Sequence, residues 1–283
     1  MTTKAKPAGI TENANALGSG ISFGITYKRI TPLLAIQDTA AIWHRNVIRL
    51  FRTPQMLVFA TIQPTMFVLL FRYVFSGAIH VPGKSTYVDY LMAGIFIQTT
   101  LFGGASTAVG LAEDIKGGIV DRFRSLPMAR SAVLTGRTLA DLSRGVFVLL
   151  LMVLVGMAVG FRFHNGIVPV AAGLLLVLAF GYAFSWFFAY VGLTVKDPET
   201  AQMAGFVPLF PLIFASSAFV PVRTMPNWLQ SFANVQPISV TINAVRNLLE
   251  GGPVFHWLWQ SVAWTLGITL LFSMLAVARY RRI

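Results

Sequence analysis

Apolar positions along the chain fall into six long blocks separated by short polar segments. Uncharged stretches occupy residues 53–71, 90–112, 145–161, 163–195, 200–222 and 251–278. About 20 mostly apolar residues in a helix cross the roughly 30 Å hydrocarbon core of a bilayer. In lipid each backbone amide must find its partner within its own segment, which selects helix. The pattern therefore predicts an all-α membrane protein with six transmembrane helices over residues 54–283. Ahead of them, Ile36, Ala40, Trp43, Val47 and Leu50 share one helical face, while Arg45, Arg49 and Arg52 lie opposite. This predicts an amphipathic helix within residues 27–53 that lies in the inner membrane interface. Thr53-Pro54 ends it and turns the chain into the first span. Residues 1–26 are rich in small polar residues and lack the continuous apolar region of a signal peptide, so a flexible cytoplasmic tail is expected.

Details within the blocks refine the expectation. Pro64 removes a backbone donor from the first span and predicts a kink. Gly94, Gly103, Gly104 and Gly110 in the second permit close helix contact. The third block is short, with Leu139 and Leu142 as its inward extension. The aromatic residues of the fourth, Phe180 to Tyr190, suit packing against lipid or neighbouring helices. Pro208 and Pro211 make the fifth irregular. Residues 221–253 carry Trp228, Phe232, Ile238 and Leu248, too apolar for a free loop and too interrupted to span. One or two short helices dipping into the outer leaflet are predicted there.

Composition agrees, with 55% hydrophobic and 11% charged residues against about a quarter charged in soluble domains. The net charge of +12 raises the question of nucleic acid, but its placement answers it. With both termini inside, 17 of the 22 Lys and Arg residues fall on inner segments. Arg72, Lys84, Arg162, Arg223 and Arg246 are the five left outside. That is the positive-inside bias of a multi-pass plasma-membrane protein with cytoplasmic termini, not a nucleic-acid surface.

Chemistry is conspicuous by what the blocks omit. No Asp, Glu, Lys or Arg falls in the middle of a block, where such a residue marks an ion or proton path. The chain has no Cys, no His-Glu-x-x-His and no serine elbow, and His44, His80, His164 and His256 sit at block boundaries. Neither a catalytic residue nor a metal site is assigned, so no enzyme is read here. Gly83-Lys84-Ser85-Thr86 resembles the end of a phosphate loop, but Ala78 stands where that motif needs glycine. A self-contained channel or secondary carrier is the alternative reading, weakened by the missing charges.

The inner segment 113–130 is the richest polar stretch. Ile115, Ile119, Phe123 and Leu126 form an apolar stripe among Glu113, Asp114, Lys116, Asp121, Arg122 and Arg124. Pro127 ends it, and Arg130, Arg137 and Arg144 lead into the third span, with Asp141 able to pair with Arg137 or Arg144. Two readings stand: a loop lying on headgroups, or a short helix that docks in a soluble partner with Phe123 as its anchor. In the second inner loop, Lys196-Asp197-Pro198-Glu199-Thr200, Asp197 suits an N-cap and Pro198 the first helical turn. Gln63, Gln98, Thr99, Ser106, Ser216 and Ser217 are polar groups inside spans, candidates either for a substrate route or for bonds between helices.

Three stretches resemble the type-2 ABC exporter permeases of the daunorubicin/doxorubicin-resistance subgroup. They are the run from Gln63-Pro64 to Gly77-Ala78-Ile79, the run from Gly110 through Asp121-Arg122-Phe123-Arg124-Ser125-Leu126-Pro127 to Arg130, and Gly136-Arg137-Thr138-Leu139-Ala140-Asp141. Asp197-Pro198-Glu199-Thr200 is similar to that family's second inner loop. The resemblance implies a permease that pairs with a second copy, most simply as a homodimer, and with two cytoplasmic ATPase subunits that bind ATP and Mg. Glu113, Asp114, Ile119, Asp121, Arg122, Phe123, Arg124, Leu126, Pro127, Arg130, Asp197 and Glu199 are the positions it implies for ATPase coupling. The implied cargo is a hydrophobic or amphipathic drug, antibiotic or lipid.

Overall fold

A capping box starts the helix around which the others assemble. In the computed structural model, which describes residues 32–52, 54–77, 86–119, 130–195 and 197–282, Thr86 accepts from the backbone of Asp89. The Asp89 carboxylate in turn accepts from the Thr86 amide. The Gly-Lys-Ser-Thr sequence thus supplies a helix cap through its last residue. From there α3 (Tyr87–Lys116) runs 30 residues, more deeply buried than the other long helices. Its neighbours are α2 (Pro54–Leu70), α4 (Arg130–Val159), α5 (Ile167–Thr194), α6 (Pro198–Phe214) and α8 (Pro237–Glu250). Helix α9 (Phe255–Arg282) closes the bundle against α5 and α8.

Small residues set the approach distances. Gly192 of α5 lies on the backbone of Ala108, and Gly94 on that of Ala218. Gly104 and Gly205 flank the Phe188 ring from α3 and α6. A Cβ at residue 192 would stand 2.4 Å from the Ala108 carbonyl oxygen, and backbone cannot yield as a side chain can. Gly192→Ala is therefore expected to destabilise the protein by about 1–3 kcal/mol, read as earlier thermal inactivation in detergent.

Among the described residues the structure is all helical, and four helices are long and apolar enough to cross a membrane: α3, α4, α5 and α9. Helices α2 and α6 have 17 residues each and fall short of the sequence expectation. The reason is visible in both. Helix α2 passes Pro64 and widens into a π-helical turn at Phe71–Phe75. Helix α6 carries Pro208 and Pro211 and stops at Phe214, where the chain unwinds over residues 215–219. The third block is corrected the other way. Helix α4 begins at Arg130, so Arg137, Asp141 and Arg144 are helical.

Helix α1 (Pro32–Arg52) packs on α4 through Ile42, a residue outside the predicted stripe. Ile42 is buried against Gly136 of α4, whereas Ile36 and Trp43 remain 68% and 39% exposed. The Trp43 indole donates to Ser143 of α4 at 2.9 Å. A helix with apolar residues on two sides can pack on protein with one and leave the other outward, and periodicity alone does not rank them. Residues 221–253 form α7 (Asn227–Val235) and the largely buried α8. Asn165 and His164 satisfy carbonyls at the end of α8, and Gly251 at φ 90° terminates it.

Candidate coupling end and polar seam

At one end of the bundle the C-terminus of α3 meets the N-termini of α4 and α6. Gly117 caps α3 through the Glu113 carbonyl, and Gly118 follows at φ 68°. This turn separates Ile115, which belongs to α3, from half-buried Ile119, so the predicted stripe is not one continuous helix. Asp121, Arg122, Phe123, Arg124, Leu126 and Pro127 lie outside the described residues. Arg130 begins α4.

Asp197 is the N-cap of α6, as its sequence predicts. It accepts from the Thr200 amide at 3.1 Å, with Pro198 in the first turn and exposed Glu199 beside it, where the helix dipole favours a carboxylate. Thr200, through amide and then hydroxyl, holds the Asp197 carboxyl below the ordinary carboxylate range. Lys116 adds a smaller pull from the end of α3 at 3.5 Å. The cap is therefore intact at neutral pH and lost as pH falls through that lowered pKa. Both members of the Lys116–Asp197 pair are well exposed, so it registers the two loops without holding them strongly.

Stronger contacts lie one turn inward. Asp114 is buried and pairs with Arg137 of α4. Further along, the Thr107 hydroxyl donates to Asp141 at 2.5 Å, and Ser106 reaches the other carboxylate oxygen at 3.4 Å. Arg144 lies 3.9 Å from Asp141 and donates to the Gly103 carbonyl. These contacts form a polar seam between two antiparallel helices. Its register is set by matched spacing: Arg137 fills the space over Gly110, and Arg144 the space over Gly103. Of the two partners open to Asp141, the structure selects Arg144, because Arg137 is engaged by Asp114. The seam also corrects the charge-free picture of the bundle. Asp141 and Arg144 lie within a 30-residue helix facing α3, and Arg246 is buried in α8.

The polar span residues separate into three places. Gln98 and Thr99 are buried on α3, and each has an oxygen without a hydrogen-bond partner. Thr99 borders a cavity of about 30 Å³ whose other polar walls are Thr100, Asp141, Arg144, Tyr182 and Ser185. That volume suits water. Ser106 belongs to the seam. Ser216 and Ser217 are buried at the opposite end of the bundle in the unwound segment after α6. Gln63 sits on the exposed side of α2. No single route gathers these residues. Thr107, Arg137, Asp141 and Arg144, which the sequence did not assign to the site, are the ones the structure adds. The matched seven-residue spacings of Gly103/Gly110 and Arg137/Arg144 were the available signal.

Comparison with known proteins agrees with this architecture. The ABC-2 type transporter family model matches residues 37–249. The chain is 31% identical over 252 residues to the daunorubicin resistance ABC transporter permease protein DrrB1 of Streptomyces coeruleorubidus, covering 88% of this chain and 89% of that protein. It is 26% identical over 249 residues to the probable doxorubicin resistance ABC transporter permease protein DrrC of Mycobacterium tuberculosis, covering 88% and 90%. A putative transport permease, ycf38 of Pyropia yezoensis, is 25% identical over 238 residues, covering 81% and 76%. With a helical bundle, long apolar spans and this match over most of its length, the chain is a membrane permease of the ABC-2 type transporter family.

Proposed function

We propose that this permease is the membrane half of an ATP-driven exporter that moves hydrophobic or amphipathic compounds across the plasma membrane. The observation that carries the reading is the end-to-end similarity to a daunorubicin resistance permease. The seam is the physical route that goes with it: Asp114 and Arg137 join the helix ends flanking 120–129 to the interior of the bundle. Six crossings complete the reading. Helix α2 with its π-helical turn, Pro54 to Phe75, spans about 33 Å at 1.5 Å per residue. Helix α6 and the segment after it form the other short crossing. The basic last turn of α9, with Arg279, Arg281 and Arg282, favours the cytoplasmic face. The exposed side of α1 lies in the headgroups.

In this reading two soluble ATPases bind ATP and Mg and press on residues 113–130 and on the loop at Asp197 and Glu199. A second copy of the permease completes the complex. The test is purification from native membranes in mild detergent. A soluble ATPase should co-purify, and vesicles containing both proteins should accumulate an amphipathic dye on ATP addition. Uphill transport by vesicles containing this polypeptide alone would establish the carrier alternative instead.

A further inference from the structure

At the end of the bundle remote from the coupling loops, the unwound segment 215–219 leaves carbonyls with no helical partner. Side chains from two other helices supply the missing bonds. Gln236 donates to the Ala215 carbonyl at 2.6 Å, Tyr87 to that of Phe219 at 3.1 Å, and Tyr90 to that of Ser217 at 3.1 Å. The Ser217 amide donates to Ser239. At the centre lies Arg246 of α8, 9% exposed. Its guanidinium donates to the Tyr90 carbonyl from Nε and Nη2, to the Ser217 carbonyl at 2.8 Å and to Asn243 Oδ1 at 2.9 Å. It also stacks 3.5 Å above the Tyr90 ring. One side chain thus joins α3, the 215–219 segment and α8.

We propose that Arg246 is a positioning residue for export, a latch that holds α8 and the 215–219 segment closed on α3 and lets go when the far end opens to water.

The choice of residue is the physical argument. The hydrogen bonds of Arg246 go to neutral oxygens, with Glu250 attracting it electrostatically. Methionine in its place would leave the Tyr90 and Ser217 carbonyls and Asn243 Oδ1 without this donor in the closed bundle, whereas water satisfies them once the segment opens. The guanidinium therefore favours the closed state, and water replaces its own hydrogen bonds when the far end opens. Pro208 and Pro211 weaken the helix just before the segment, so bending is available there. The packing of Gly94 on Ala218 keeps the closed contact short.

The inference rests on the permease reading, and its test separates the two. The chain has no Cys, so Val240→Cys, at a fully buried position of α8, provides a sole thiol for a membrane-impermeant maleimide. Labelling is measured in the nucleotide-free complex with its ATPase. Arg246→Met should label about tenfold faster than the Val240→Cys parent, because labelling follows the open population. Arg246→Lys, which keeps the charge but not the fork, should fall between. ATP-driven dye accumulation should drop about tenfold in Arg246→Met while ATP hydrolysis persists. If that variant fails to assemble, Tyr90→Leu, which removes the ring and hydroxyl but leaves the backbone carbonyl, takes its place with the same expectation. Equal labelling in variant and parent, or full rescue of transport by methionine, overturns the latch. Loss of ATPase association in the parent itself would instead overturn the permease reading, and the resting labelling comparison would still decide the latch.

Discussion

Arg137→Ala should destabilise the protein by about 3 kcal/mol and uncouple ATP hydrolysis from transport. Removing one member of a buried ion pair typically costs about 3–5 kcal/mol, because the partner is left buried and unpaired. Arg137 and Asp114 are 16% and 13% exposed, which places this pair toward the lower figure. Asp114→Ala should cost a similar amount by stranding the guanidinium over Gly110. The double variant Asp114→Ala/Arg137→Ala should cost clearly less than the sum, since no orphan charge remains. Direct coupling between polar groups in membrane bundles is modest, about 0.6 kcal/mol on average, so most of each single effect is the orphan penalty. Thermal inactivation of the detergent complex measures the stabilities, and dye accumulation per ATP measures coupling. Strictly additive losses would show that the two residues act independently and would remove the seam from the mechanism.

Phe123→Asp should release the ATPase. Its position is outside the described residues, so the expectation comes from sequence: an aromatic between Arg122 and Arg124, on a segment that resembles the coupling region of drug-exporting permeases. A buried aromatic anchor at an interface is typically worth about 2–4 kcal/mol, and a carboxylate in its groove adds desolvation cost. That corresponds to affinity weakened by about 30-fold to 1000-fold. The ATPase should therefore be lost on washing, and drug-stimulated hydrolysis with it. Retention and stimulation equal to wild type would remove Phe123 from the interface. Opening the exposed Lys116–Asp197 pair with Lys116→Ala should change neither strongly, which makes it the control for non-specific effects at this end.

Several parts of this protein were legible in residue order because they depend on nearest neighbours. Asp197 and Pro198 announced the start of α6 by capping chemistry, and the apolar blocks located α3, α5 and α9 within a few residues, though not the start of α4 at Arg130. Membrane class followed from composition, and family from the motifs around Gly110–Arg130 and Gly136–Asp141. Other features needed the fold. Pro208 and Pro211 marked the fifth block as irregular, but the helix passes both, and only the fold shows that it stops at Phe214 and that the chain unwinds over residues 215–219. Ile36 and Ile42 are both apolar, and only packing against Gly136 decides that Ile42 is the buried one.

By itself, then, the chain's residue order determined an apolar helical bundle suited to a membrane, the segments between spans that carry its basic residues, and its kinship with drug-resistance permeases. These are sums over local hydrophobicity and short motifs, and need no knowledge of which helices touch. Tertiary structure alone decided where the charges inside the bundle go: Arg137 to Asp114, Arg144 to Gly103 and Asp141, and Arg246 to Tyr90 and Ser217. A charged side chain in an apolar setting takes its meaning from its partner, and each of these except the Asp141–Arg144 pair comes from a segment more than 20 residues away in sequence.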